Sequence, residues 1–182
     1  MRYVMVACGC HLAAVLAAAV VGKVRHGTAW RSFADSLVAL GLVGYRRRRP
    51  VAVALVGAEL AVLPLLILGF GSAGLAPYGY LGAAALFGVL TAGVVRVVRR
   101  GATAPCACFG AGGRPIGPAT VARNAVLTGI AVLGLGTALA GPAGPTHPAG
   151  TVLAAGTGLL AAVLTVRLDD VLELFGPEGV KQ

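Results

Sequence analysis

The chain has 182 residues, of which 58% are apolar and only 12% charged, with 28 glycines and a formal net charge of +9. Soluble domains carry about twice that share of charge, so a water-soluble globule is excluded, and the ample apolar surface excludes disorder. A pI of about 10.3 raises the question of nucleic acid, but the basic residues lie between long apolar runs, which points instead to a lipid bilayer.

Five runs approach the length needed to cross a hydrocarbon core about 30 Å thick. They are Tyr3 to Gly22, Val51 to Phe70, Ala76 to Val98, Thr120 to Ala140 and Ala149 to Val166, the last being the shortest. None alternates with period two, and backbone satisfaction in lipid then leaves only helices. The predicted fold is all-α: one polytopic transmembrane bundle of four to five spans over residues 1–168, with a tail over 169–182. The first run is read as an uncleaved span, because it is too long for a signal-peptide core and leads into a basic loop.

Charge orients the bundle. Lys23, Arg25, Arg31 and Arg46 to Arg49 lie in the first connection, and Arg96, Arg99, Arg100, Arg114 and Arg123 surround the third. The second and fourth connections carry no basic residue. The positive-inside rule places connections one and three, with the tail, in the cytoplasm and the N-terminus outside. The expected location is the bacterial cytoplasmic (plasma) membrane, as a multi-pass protein. Within the first connection, Trp30, Phe33, Leu37, Leu40 and Gly44 recur at helical spacing. They predict a short helix over about 30–44, its apolar stripe in lipid or against the bundle. Arg46 to Arg49 read as a stop signal at anionic headgroups. Gly129, Gly134 and Gly136, and Gly150, Gly156 and Gly158, predict close helix packing in the last two spans.

The third connection holds Pro105-Cys106-Ala107-Cys108-Phe109-Gly110, then Gly112 and Gly113. On a helix, two cysteines one residue apart diverge by about 200°. Here proline and glycines permit a turn that brings the sulfurs together, and the small ring that results would be strained and exchangeable. Arg99, Arg100 and Arg114 favour the thiolate. The functional reading is a pair that passes oxidising equivalents; the plain one is two small loop residues. Cys8-Gly9-Cys10 in the first span has three readings: packing, a second thiol pair, or, with His11, a soft-metal site.

Glu59 is the only acid within a span, and a carboxyl there is expensive. It lies about 12 Å from the cytoplasmic face, and His11 about 12 Å from the outer one, so the two differ in depth by roughly 6 Å and their side chains could meet. The alternative for Glu59 is a protonated carboxyl bonded to a backbone carbonyl. Pro64, one turn on, can kink that helix. Arg123-Asn124 opens the fourth span; Arg123 either snorkels to headgroups or returns to hold the cysteine loop. No phosphate loop, dinucleotide fingerprint, HExxH or Ser/His/Asp set is present, which disfavours a self-contained hydrolase or nucleotide enzyme.

These features together resemble one family. A first span running into Lys23, a helix with Phe33 and Leu37, a second span with Glu59, the CxCFG segment and Arg123-Asn124 are similar to the methylamine-utilisation protein MauE family, within the DoxX-like group. The likeness spans roughly residues 5 to 140. It implies a part in maturing the disulfide-rich small subunit of methylamine dehydrogenase, an exported client, together with a thioredoxin-like partner. Cys106 and Cys108 would be the exchanging pair, with Glu59, Arg123 and Asn124 in support and no cofactor or metal of its own. Because the charge count puts Cys106 and Cys108 on the cytoplasmic side, either a relay to Cys8 and Cys10 or a re-entrant loop would connect them with an exported client. The alternatives are a membrane subunit passing electrons to quinone, with Glu59 and His11 handling protons, and a non-redox scaffold or transport component.

Overall fold

The computed structural model describes residues 1–72, 74–101, 117–141 and 147–168. Among these residues there are six helices: α1 (Arg2–Val24), α2 (Gly27–Ala39), α3 (Arg48–Gly69), α4 (Ala76–Arg99), α5 (Pro118–Leu139) and α6 (Pro148–Val166). All but α2 are long and apolar enough to cross a membrane. The predicted spans match them to within three residues at every end. α3 runs unbroken through Pro64.

The four helices α1, α3, α4 and α5 form a closed ring in which each packs on two neighbours. Their shared core is built from Leu12, Val15 and Leu16 of α1, Leu66 of α3, Phe87 of α4 and Leu127 of α5. Lipid supplies no hydrophobic drive between helices, so close approach and polar links matter more than apolar area. Two such links join α4 to its neighbours. The Tyr80 hydroxyl of α4 donates to the Met5 carbonyl oxygen of α1, and Thr91 of α4 lies 3.2 Å from the Thr128 hydroxyl of α5.

Glycine permits the closest approaches, though at only half of the six predicted positions. A Cβ on Gly134 would lie 2.3 Å from the Tyr80 ring, one on Gly158 2.3 Å from the Ala7 carbonyl oxygen, and one on Gly150 2.7 Å from the Tyr3 ring. At Gly129, Gly136 and Gly156 the same atom would meet nothing within 4 Å. Those three sit on outward helix faces, which composition alone does not distinguish from inward ones. α6 stands outside the ring against α1, anchored at its start by the His147 N–H donating to the Tyr3 hydroxyl at 2.9 Å.

The short helix starts and ends earlier than the 30–44 spacing predicts. α2 packs on α1 and α3, with Phe33, Ala34 and Leu37 buried against Val20, Ala52 and Val56. It stops at Ala39 because Gly41 takes a left-handed φ of 65°. The Gly41 N–H then donates to the Val38 carbonyl, and the Leu42 N–H to the Leu37 carbonyl. This is the paired closure of a Schellman motif. Leu40 is still buried, but Gly44 lies beyond the helix, before a 3-10 turn at Tyr45–Arg47. Arg48 is partly held within the protein, 3.4 Å from Asp35 Oδ1 and 3.7 Å over the Tyr45 ring.

A buried ion pair and a cavity at the basic end

One end of the ring gathers the C-termini of α1 and α4 with the N-termini of α3 and α5, and with them most of the basic residues. Four polar side chains turn inward there: Lys23, Glu59, Arg123 and Asn124, at 4, 2, 8 and 7% exposure. Their inward aim follows from helical spacing. Lys23 continues the stripe Leu12, Leu16, Ala19, and Glu59 falls in the stripe Ala52, Val56, Val62, Leu66. Asn124 heads the stripe Leu127, Ala131, Gly134. Steps of three and four keep each set on one helix face.

The Lys23 ammonium donates to Glu59 Oε1 and forms a buried ion pair with it. The same ammonium lies 5.0 Å above the Phe33 ring, a cation–π distance. One side chain of α1 thus ties together α2 and α3. Among the described residues, Glu59 Oε2 is buried and accepts no hydrogen bond. The pair replaces both predicted states of Glu59, the carboxyl on a backbone carbonyl and the contact with His11. His11 lies twelve residues before Lys23, about 18 Å along α1, and its Nε2 is 3.5 Å from the Thr165 hydroxyl of α6. A Glu59–His11 proton pair therefore does not form.

A cavity of about 220 Å³ opens beside the ion pair. Lys23, Glu59, Ser36 and Asn124 are its polar lining, and apolar residues of α1 to α4 and of the α2–α3 turn, with Gly93, make the rest. Arg123 is buried next to Asn124 on α5.

Cys106, Cys108 and Arg114 lie outside the described residues. Their segment joins the C-terminus of α4 to the N-terminus of α5, both at the basic end. Cys8 and Cys10 are both free thiols on the intact helix α1. Cys8 packs in the main core, as the packing reading expects. With His11 they do not converge: among the described residues no three His, Cys, Asp or Glu side chains come together as metal ligands.

By its place in the sequence Lys23 falls with the charges of the first connection, but it belongs to the buried face of α1. The signal was available in the 12, 16, 19, 23 spacing. A further cue is that the chain uses lysine only twice against thirteen arginines.

A bundle of five apolar helices with an intramembrane ion pair defines a multi-pass membrane protein. The family profile of the methylamine utilisation protein MauE matches residues 1–137, and the chain belongs to that family. The match takes in the ring of four helices, the ion pair and the CxCFG segment, and ends before α6. Neither the curated proteins nor the solved structures hold a match to the chain.

Proposed function

We propose that this MauE-family protein supports thiol–disulfide maturation of a partner protein, with Cys106 and Cys108 as the exchanging pair. The observation that carries the reading is the Cys106-Ala107-Cys108-Phe109-Gly110 segment, which falls inside the matched span. The segment is tethered at the basic end. Cys106 is five residues from Gly101 and Cys108 nine from Gly117, so the segment springs from the end of the bundle that holds the buried Lys23, Glu59, Arg123 and Asn124.

In the exchange, a thiolate of one dithiol attacks the disulfide of the other protein and displaces one sulfur as a thiolate. The second thiol then resolves the mixed disulfide. Two electrons and two protons pass between the client and the Cys106/Cys108 pair, and the same number between that pair and a thioredoxin-like partner. By family likeness, the client is the small subunit of methylamine dehydrogenase, and the setting is the bacterial cytoplasmic membrane. Lys23, Glu59 and Asn124 support the end of the bundle from which the segment springs. Cys8 lies fifteen residues before Lys23 on α1, about 22 Å away, so the proposal rests on Cys106 and Cys108 without a relay.

The test is differential alkylation with mass spectrometry in intact membranes. Wild type is compared with Cys106→Ser and Cys108→Ser, with and without the thioredoxin-like partner. The expected result is a pair that switches between dithiol and disulfide, with a mixed disulfide trapped in one variant. Two thiols that stay unmodified in every condition would refute the proposal.

A further inference from the structure

The cavity beside the ion pair has three properties that together specify an occupant. The first is size. Engineered protein cavities of about 150 Å³ bind benzene, and this one measures about 220 Å³. It holds one six-membered ring with substituents. The second is access. Val89 of α4 and Leu42 of the α2–α3 turn line the cavity and are also 67 and 38% exposed on the apolar outer surface. They form a rim reached from the hydrocarbon region. The third is a buried acceptor in the lining. Glu59 is 2% exposed, yet its Oε2 accepts no hydrogen bond among the described residues, and a buried acceptor left unpaired is costly.

An oxygen of this kind calls for a donor. A hydrocarbon would fill the space and leave Oε2 as it is. A carboxylate would bring a second anion to a buried carboxylate, which is worse. A neutral hydroxyl on a ring supplies the donor without charge. Its oxygen can in turn accept from the Lys23 ammonium, which among the described residues meets Glu59 Oε1 and the Phe33 ring face. Phe33 and Phe87 offer aromatic walls to the ring.

We propose that the cavity beside the Lys23–Glu59 pair binds a neutral, membrane-soluble ring of the phenol or quinol class, whose hydroxyl donates to Glu59 Oε2. This site involves no cysteine and stands apart from the thiol-exchange reading.

The experiment uses the full chain in phosphatidylcholine nanodiscs and derives apparent affinity from ligand-dependent thermal stability. The probes are 4-propylphenol, its methyl ether 4-propylanisole, and 1-octanol. Loss of one hydrogen bond corresponds to about a tenfold loss of affinity, so the phenol should bind about tenfold tighter than the ether. Partition into the bilayer alone would favour the more apolar ether, which gives the two explanations opposite signs. Gly93 lines the cavity, and a Cβ there would meet only Leu42, at 3.8 Å. Gly93→Leu therefore fills the space while keeping the ion pair, and should abolish phenol binding with no fall in stability of the unliganded protein. Leu90→Phe, from the same wall, should do the same and covers the case in which Gly93→Leu folds poorly. An ether that binds as tightly as the phenol would overturn the proposed hydroxyl bond. Octanol binding as tightly would overturn the ring, and phenol binding unaffected by both variants would overturn the location.

Discussion

Lys23 and Glu59 hold each other inside the bundle, and the energetics of such a pair are asymmetric. Removing one partner strands a buried charge and costs about 3–5 kcal/mol, whereas replacing both by apolar groups of similar volume is often neutral. Lys23→Met and Glu59→Leu should each lower the thermal unfolding temperature sharply, and the double variant should recover most of the loss. Additive losses in a double-mutant cycle would show that the two side chains do not act as a pair. Lys23→Arg should not substitute fully, because a planar guanidinium cannot take the place of the ammonium above Phe33 without repacking. The ion pair explains why Glu59 is tolerated at this depth, and the cavity leaves open space beside it.

At the scale of elements, the glycines divide by what faces them. Gly134→Val should displace the Tyr80 ring, break its bond to the Met5 carbonyl and separate α4 from α5 and α1. Gly136→Ala, two residues on, meets nothing and should be neutral or slightly stabilising, since alanine is favoured over glycine in a helix by about 1 kcal/mol. Unfolding in detergent by circular dichroism separates the two, and equal behaviour would contradict the observed helix faces. α6 is a second case. Among the described residues its main contacts are with α1, and the family match stops before it. Truncation after Ala140 should leave the ring and the Lys23–Glu59 pair intact, read as unchanged hydrogen-exchange protection of α3, α4 and α5. Loss of protection throughout the ring would show that α6 is integral to the bundle. The existence, length and order of these helices were legible in the sequence because apolar run length is a local property. The end of α2 was not, since Leu40 and Gly44 keep the apolar spacing while Gly41 breaks the helix between them.

For the whole molecule, the distribution of charge predicts an orientation. The end bearing Arg46 to Arg49 and Arg99 should face the cytoplasm, and the turn between α3 and α4 the exterior. In a background with Cys8, Cys10, Cys106 and Cys108 replaced by serine, a membrane-impermeant maleimide added outside should label Ser72→Cys and spare Arg46→Cys. The reverse pattern would invert the molecule and place the cysteine segment outside.

The all-helical class, the five spans, the clustering of basic residues at alternate connections and the family likeness are all legible in the order of residues along the chain. Each of these depends on composition and order within one stretch of chain, summed against a bilayer of known thickness. Which faces meet is set by the packing of the helices in space. Lys23 pairs with Glu59 instead of leaving Glu59 to His11; α6 lies outside a ring of four; three glycines of six make close contacts; and a cavity remains beside the ion pair. These follow from the rotation and crossing of helices, and small rotations change the neighbours of every side chain while leaving the hydropathy of each span as it was.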